Sequence, residues 1–436
     1  MMRRIQILSD YGMLGVLLLL CLFFSVVTLE EQHPEGEDAA NRVVPKIAQQ
    51  VPRGRPLVIV ARPTLRDQAF ARTAKTLLQE RGYRVLAEIR GEPPAIRRRL
   101  QSLADRAAIP AALVTVPDFR LPLKSIQARI PPLAQTPVIV PDSYRWPTFL
   151  LRDNLINVVN QIVVIAIIAI GMTMVIITAG IDLSVGSLIA LSAVIAARLI
   201  AGMGGTEAST LTLILASLLA ILACGGLGML SGVIITRFGV PPFIATLGWM
   251  LVASGLAYII SEGQSIYAIP DRFVWLGRGT AFLGIPNAVV LMALLYAAAY
   301  VLMTHTVLGR YIYAVGGNPE AARLSGVRVQ WILVFVYTVS GLMAGLGGIV
   351  LASQLKSGAP TYGLLYELYV IAAVVVGGTS LSGGEGKIMG TLIGALIIGV
   401  IQNGMNLTGV ETYTQKVVLG LVILGAVLLD KWRSRR

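Results

Sequence analysis

Apolar runs close to the roughly 20 residues that carry a helix across a bilayer recur at about 13–29, 155–178, 183–203, 211–235, 240–260, 286–304, 331–352, 364–378, 388–407 and 414–430. Only helices and closed barrels satisfy their own backbone inside hydrocarbon, and these runs are continuous, not alternating. The pattern therefore predicts an all-α polytopic membrane protein with about ten transmembrane helices. Composition agrees, since 14% of the residues are charged against about a quarter in soluble domains. The weakest run is 364–378. It is short, carries Glu367 and ends in Gly377-Gly378, which reads as a tilted or broken helix.

The net charge of +13 is topology information. If every run crosses and the N-terminus is cytoplasmic, the inner side receives Arg3, Arg4, Arg237, Arg310, Arg323, Arg328, Lys387, Lys431, Arg433, Arg435 and Arg436. That is a positive-inside distribution. The outer loops hold Glu207, Glu262, Asp271 and Glu411, with Arg272, Arg278 and Lys356 against the trend. No basic face is interleaved with aromatics, so nucleic acid is not an expected partner. The first run follows Arg3-Arg4 as a signal peptide would, but Thr28-Leu29-Glu30-Glu31 offers no small-residue cleavage site, and a retained anchor is expected.

Three regions follow: an anchor at 1–30, a polar insertion at 31–147, and a membrane domain at 148–436 with an inner loop at 305–330. In the insertion, Pro56–Ala61, Tyr83–Ile89 and Ala111–Val116 read as strands, and Leu65–Arg81 and Pro94–Ala107 as helices. This β-α-β-α-β order predicts a small parallel sheet with right-handed crossovers, placed outside the cytoplasm. The Pro-rich stretch from Pro117 to Pro147 reads as a tether, with Tyr144 and Trp146 at the membrane interface.

Chemistry-bearing constellations are sparse. Cys21 and Cys224 lie in apolar runs and His33 and His305 stand alone, so neither a metal site nor a catalytic set is expected. Ionisable groups within spans are costly and draw attention to Asp182 and Glu367. Asp182 sits in Gly180-Ile181-Asp182-Leu183-Ser184-Val185-Gly186, where Asp182 or Ser184 can cap the next helix. Glu367 falls about a turn and a half into its run. The turn from Gly377 and Gly378 to Lys387 repeats the G-x-x-L-S-x-G spacing and includes Leu-Ser-Gly-Gly-Glu. No G-x-x-x-x-G-K-[ST] phosphate loop accompanies it, so the chain carries no ATPase of its own. Asn157, Asn160, Gln161, Gln402 and Asn403 are further polar candidates for a solute path, although amides in spans also bond neighbouring helices.

The inner loop is the most informative polar segment. Asn318 can cap a helix begun by Pro319, with Glu320 in its first turn, and Gly326 can end it after Arg323. Ala321, Ala322 and Ser325 would give that helix a small-residue face for another protein to approach.

From Phe149 to about residue 430 the sequence resembles the permeases of binding-protein-dependent ABC importers, the family with ribose, xylose, galactoside and autoinducer-type members. The resemblance rests on Asn154-Leu155-Ile156-Asn157-Val158 with Gln161, on Gly180 to Ser187, on Pro242-Phe243-Ile244-Ala245-Thr246, on Gly309 to Gly326, and on Gly377-Gly378-Thr379-Ser380 with Gly384 and Gly390. It implies a permease in the bacterial inner membrane that pairs with a second permease and carries a small, sugar-like solute. Two ATPase subunits holding ATP and Mg would bind below, and an extracytoplasmic solute-binding protein would dock above. By that resemblance Gly309, Arg310, Gly316 and Asn318 to Gly326 would couple to the ATPase; from the residues themselves, Asp182, Ser184, Glu367, Gly377, Gly378, Asn157, Gln161, Gln402 and Asn403 are the positions expected to line the path or its gate. Two departures stand out: Ala179 where many relatives have glycine, and the α/β insertion, which either contacts the binding protein or covers the outer mouth, or is a passive decoration. A gradient-driven transporter would need a coupling-ion site, which this sequence scarcely supplies, and a sensor would not need ten spans.

Overall fold

The computed structural model describes residues 2–282 and 284–433, with side chains from Gly12 to Leu428. The side chains of Arg3, Arg4, Lys431 and Arg433, and Arg435 and Arg436 altogether, lie outside the described residues. The chain divides into two compact units, one of residues 1–28 with 149–436 and one of residues 29–148.

In chain order the first helix is α1 (Met2–Val27), followed by the elements of the smaller unit: β1 (Leu29–Gln32), α2 (Gly36–Gln50), β2 (Pro56–Ala61), α3 (Leu65–Glu80), β3 (Arg84–Arg90), α4 (Pro93–Asp105), β4 (Ala112–Val114), α5 (Arg120–Gln127), β5 (Val138–Ile139) and β6 (Tyr144–Pro147). The parallel sheet forms in the order β3-β2-β4-β5. Leu57 to Ala61 of β2 are fully buried, as a central strand covered on both faces requires. The expected strands and helices are present, with every boundary within two residues. The supposed tether from Pro117 to Pro147 is corrected: it folds into α5, the fourth strand β5, and β6, which pairs antiparallel with β1 and puts Trp146 opposite Glu30. Helix α2, unread in the sequence, buries Ala39, Ala40, Val43, Val44 and Ile47 along one stripe.

The larger unit continues with α6 (Arg152–Ile177), α7 (Val185–Gly202), α8 (Thr210–Phe238), α9 (Pro242–Ser261), α10 (Trp275–Arg278), α11 (Asn287–His305), α12 (Val307–Gly317), α13 (Pro319–Leu324), α14 (Val329–Leu355), α15 (Tyr366–Val376), α16 (Ile388–Leu407) and α17 (Thr412–Arg433). Among the described residues, seven helices are long and apolar enough to cross a membrane: α6, α7, α8, α9, α11, α14 and α16. The apolar stretches 12–27, 366–376 and 412–428 are shorter. Helix α15, with 11 residues, is about 16 Å long at 1.5 Å per residue. That is half a bilayer core, so the 364–378 run is a broken element and not a full span by itself.

Close backbone approach organises this bundle. Helices α8 and α14 meet through Gly228 and Gly232 on one side and Gly341 and Gly345 on the other, both pairs at small-xxx-small spacing. A Cβ at Gly232 would stand 2.6 Å from Val334 Cα, closer than real side chains come. Helix α6 is the centre, buried almost continuously from Ile162 to Ile177.

Candidate functional site

The loop between α11 and α14 folds as two short helices. Thr306 accepts a hydrogen bond from the Gly309 amide (3.2 Å) at the start of α12. Asn318, in extended conformation, ends α12 and caps α13, its Oδ1 accepting from the amides of Glu320 (3.1 Å) and Ala321 (3.0 Å). Pro319 fills the first helical position and Gly326, at φ +85°, follows the end. The cap, the proline and the stop are therefore as the sequence predicts, whereas the 11-residue helix α12 before them is new.

The exposed face of α13 differs from expectation. Ala322 is buried, so the small-residue face of Ala321, Ala322 and Ser325 is not presented as one surface. What protrudes is Leu324, 81% exposed, beside the Glu320–Arg323 ion pair at 2.6 Å. Arg310 is also exposed.

Beneath this loop, α12 rests on two glycine-rich turns. Gly316 packs so closely on the end of α6 that a Cβ there would overlap the Ile177 carbonyl oxygen and stand 2.7 Å from the Gly384 amide. That amide donates to the Ile177 carbonyl (2.8 Å), and Tyr313 Oη donates to the Gly386 carbonyl (2.7 Å). Gly383, at φ +83°, abuts the Gly316 carbonyl and the Ala179 Cβ. Ala179 itself holds φ +59°, a left-handed conformation that costs alanine roughly 1–2 kcal/mol. Its departure from glycine is therefore a matter of backbone strain.

The first turn runs back into the bundle. Gly171 of α6 packs on Ser340 of α14, and Ser340 Oγ donates to Asp182 Oδ2 (2.7 Å). Gly171 lies six residues before the end of α6, about 9 Å at 1.5 Å per residue. Residues 178–182 thus climb back to that level before α7 begins. Asp182 is 1% exposed, and its Oδ1 accepts from the Ser184 amide (3.0 Å) and Ser184 Oγ (2.6 Å). Ser184 makes no side-chain cap, so of the two candidates Asp182 is the acceptor. Thr246 Oγ1 sits against the same turn, accepting from the Leu183 amide (3.2 Å), with the Ile181 carbonyl (3.2 Å) and the Pro242 carbonyl of its own helix (3.0 Å) as alternative acceptors for its one proton. Among the described residues, Tyr337 Oη, buried against Gly180, has no hydrogen-bond partner, and neither has Thr379 Oγ1 in the other turn.

A second chain comes down from the opposite end. Lys356, at φ +53°, pairs with Asp271 (2.5 Å) and holds that carboxyl below the usual carboxylate range. Gly358 then packs beside Ala193 and Ala197, and Gly363 beside Gly186 and Ile189. The segment descends along α7 until Gly186 and Gly363 meet backbone to backbone. Glu367 follows in the first turn of α15, with its carboxylate against Gly186. This corrects its expected place a turn and a half into a helix: Leu365, at φ +66°, delays the start of α15 to Tyr366.

The remaining candidates are dispersed. Asn403 forms a reciprocal amide pair with Asn154 (2.9 and 3.1 Å), and the Gln354 amide reaches Asn160 (3.4 Å). Asn157 and Gln161 are exposed and Gln402 half-buried. Asn157 and Gln161 precede Gly171 by 14 and 10 residues, about 15–21 Å along α6, and so stand well away from Asp182. Gly377 is buried against Gly390, while Gly378 is exposed at φ +87°. Thr246 closes the Pro242–Thr246 motif on which the resemblance rests, whereas Ser340 and Tyr337, which complete the site, carry no sequence signal beyond being polar groups in an apolar helix.

The larger unit is thus a bundle of long apolar helices with a two-helix loop seated on two glycine-rich turns. The family model for the branched-chain amino acid transport system permease component matches residues 154–427, and the chain belongs to this family of non-catalytic permease components. It is 47% identical over 289 residues to the ribose import permease protein of Escherichia coli strain K12, covering 65% of this chain and 87% of that one. It is 46% identical over 290 residues to the ribose import permease protein of Bacillus subtilis strain 168 (66% and 88%). The D-allose transport system permease protein of Escherichia coli strain K12 is 37% identical over 287 residues (66% and 86%). No solved structure matches the chain.

Proposed function

We propose that this chain is the membrane-spanning permease of an ATP-driven importer for a monosaccharide of the pentose or hexose class. The family model is described by branched-chain amino acids, whereas relatives 37–47% identical are named for ribose and allose; the nearer likeness favours the sugar. In this reading the chain pairs with a second permease, receives solute from an extracytoplasmic binding protein, and binds no cofactor. ATP and Mg belong to the partner ATPase. The ten apolar stretches cross or enter the membrane with both termini cytoplasmic, and residues 29–148 lie outside.

The observation that carries this reading is the contact of α12 with both glycine-rich turns, at Ile177–Ala179 and at Gly383–Gly386. An ATPase groove that takes Leu324 moves α13 and α12; Gly316 transmits the shift to Ile177 and Gly384. From there the 178–186 turn and its partner at 363–367 can exchange one packing for another, as bistable contacts do. The orphaned Tyr337 and Thr379 hydroxyls are groups that a second packing can satisfy. Asp182, Ser184, Glu367, Gly377 and Gly378 are then gate residues, and Asn157, Gln161, Gln402 and Asn403 belong to the opposite mouth.

Reconstitution into vesicles with its ATPase and binding protein tests this. Labelled D-ribose should accumulate only with ATP and both partners. Uptake by the chain alone, driven by an ion gradient, would make it a secondary transporter. Deleting residues 45–143 tests the insertion: unchanged uptake would reduce it to a passive addition.

A further inference from the structure

The smaller unit has a feature that transport through the bundle does not use. Its strand order, β3-β2-β4-β5, reverses direction between β2 and β4. From β2 the chain goes outward through α3 to β3, then returns past β2 through α4 to β4. The loops leaving the carboxyl ends of β2 and β4 therefore diverge to opposite faces and leave a crevice between them. In open α/β sheets this switch point is where ligands bind.

The residues at that crevice are a fixed donor and a facing acceptor. Arg62, just beyond β2, is held by Asp67 of α3: Nε to Oδ2 at 2.7 Å and Nη2 to Oδ1 at 3.3 Å, with the Arg62 amide also donating to Oδ2 (3.2 Å). The Asp67 side chain is only 6% exposed, whereas that of Arg62 is 35% exposed, so the buried carboxylate orients a guanidinium that still faces solvent. From the β4 side, Asp118 Oδ2 stands 3.7 Å from Arg62 Nη2, too far for a hydrogen bond, and its side chain is half exposed. Thr115 is not available as a ligand group, because its hydroxyl donates to the Val60 carbonyl (2.9 Å).

This pairing selects a chemistry. A phosphate or nucleotide is disfavoured by two carboxylates at the crevice, and Ala61-Arg62-Pro63-Thr64 has none of the glycines that admit a pyrophosphate. Vicinal hydroxyls fit, since each donates to a carboxylate and accepts from a guanidinium. We propose that the crevice between β2 and β4 is a second solute site, in which Arg62 and Asp118 bind a neutral polyhydroxylated ligand of the monosaccharide class. Both side chains are partly exposed and already ion-paired with each other at 3.7 Å, so a ligand competes with water and with that pair and weak binding is expected.

The test uses the full-length chain in lipid nanodiscs, titrated by calorimetry with D-ribose, D-allose, L-arabinose and D-fructose, and separately with inorganic phosphate. Saturable millimolar binding of at least one sugar is expected, weakened tenfold or more by Asp118→Asn and by Arg62→Lys, with phosphate neither binding nor competing. Asp118 is peripheral enough that its variant should unfold at the wild-type temperature, which separates loss of binding from loss of fold. Sugar binding unchanged in both variants would assign it to the transmembrane bundle and overturn the proposal. So would absence of saturable sugar binding, or preferential binding of phosphate. None of these outcomes bears on ATP-dependent uptake, which is measured independently.

Discussion

Gly316 and Gly317 are adjacent in one helix and both backbones lie near Gly384, yet only at Gly316 does an added Cβ point into that contact, and this makes them a matched test of the coupling route. A Cβ added at Gly317 meets nothing within 4 Å; one added at Gly316 meets the Ile177 carbonyl and the Gly384 amide. Removing a helical glycine ordinarily gains about 0.5–1 kcal/mol, so Gly317→Ala should be neutral or slightly stabilising. At Gly316 the obstructing atoms are backbone and cannot rotate away. Overpacking of this kind costs about 1–3 kcal/mol, and parting Ile177 from Gly384 forfeits a hydrogen bond worth about 1 kcal/mol. Net of the helix gain, Gly316→Ala should lose about 1–3 kcal/mol of the contact, or roughly 5- to 150-fold in the balance between its two packings. ATP-dependent uptake in reconstituted vesicles should fall by a factor in that range, with a lower unfolding temperature in detergent. Equal behaviour of the two alanine variants in both assays would refute the claim that α12 acts through this contact.

Ala179→Gly should stabilise the chain by about 1 kcal/mol by relieving the left-handed alanine; an unchanged or lower thermal unfolding midpoint would show that the Ala179 methyl packing outweighs the strain. Asp182→Ala should be more damaging than Asp182→Asn, because alanine leaves the Ser184 amide and the Ser184 and Ser340 hydroxyls without their acceptor, each at a cost of about 1–3 kcal/mol; the pair is compared by thermal unfolding and uptake. Leu324→Asp should leave the stability of the isolated permease unaltered, since the side chain is 81% exposed, while abolishing copurification with the ATPase. Retained association would remove Leu324 from the interface.

The membrane bundle was legible in sequence because hydrocarbon imposes a length on apolar runs, and β2 because five consecutive buried apolar residues leave little else to form. That the 364–378 run is not an ordinary span was legible from its shortness, Glu367 and the terminal glycines, but the place of the break was hidden: hydropathy counts Leu364 and Leu365 as helix, whereas Leu365 has a left-handed backbone that no composition scale records. Helix α12 was missed because Gly309, Gly316 and Gly317 depress its propensity, and those at 309 and 316 are there for close packing. In the smaller unit, β5 is two residues long and gave too little pattern to separate it from a proline-rich linker. Asn318, Pro319 and Gly326 were readable because cap chemistry is local. The partners of Asp182 were not, since Ser340 lies 158 positions away and nothing marks it beforehand.

Where Gly186 touches Gly363, main chain meets main chain directly, with the Glu367 carboxylate and the Ile189 side chain packed beside the contact. A side-chain contact yields to a push by changing rotamer, and part of any movement is spent there. Main chain against main chain has no such slack. Displacing one strand of this joint by a fraction of an ångström must therefore displace the other, and the fidelity of transmission comes from what these two residues lack.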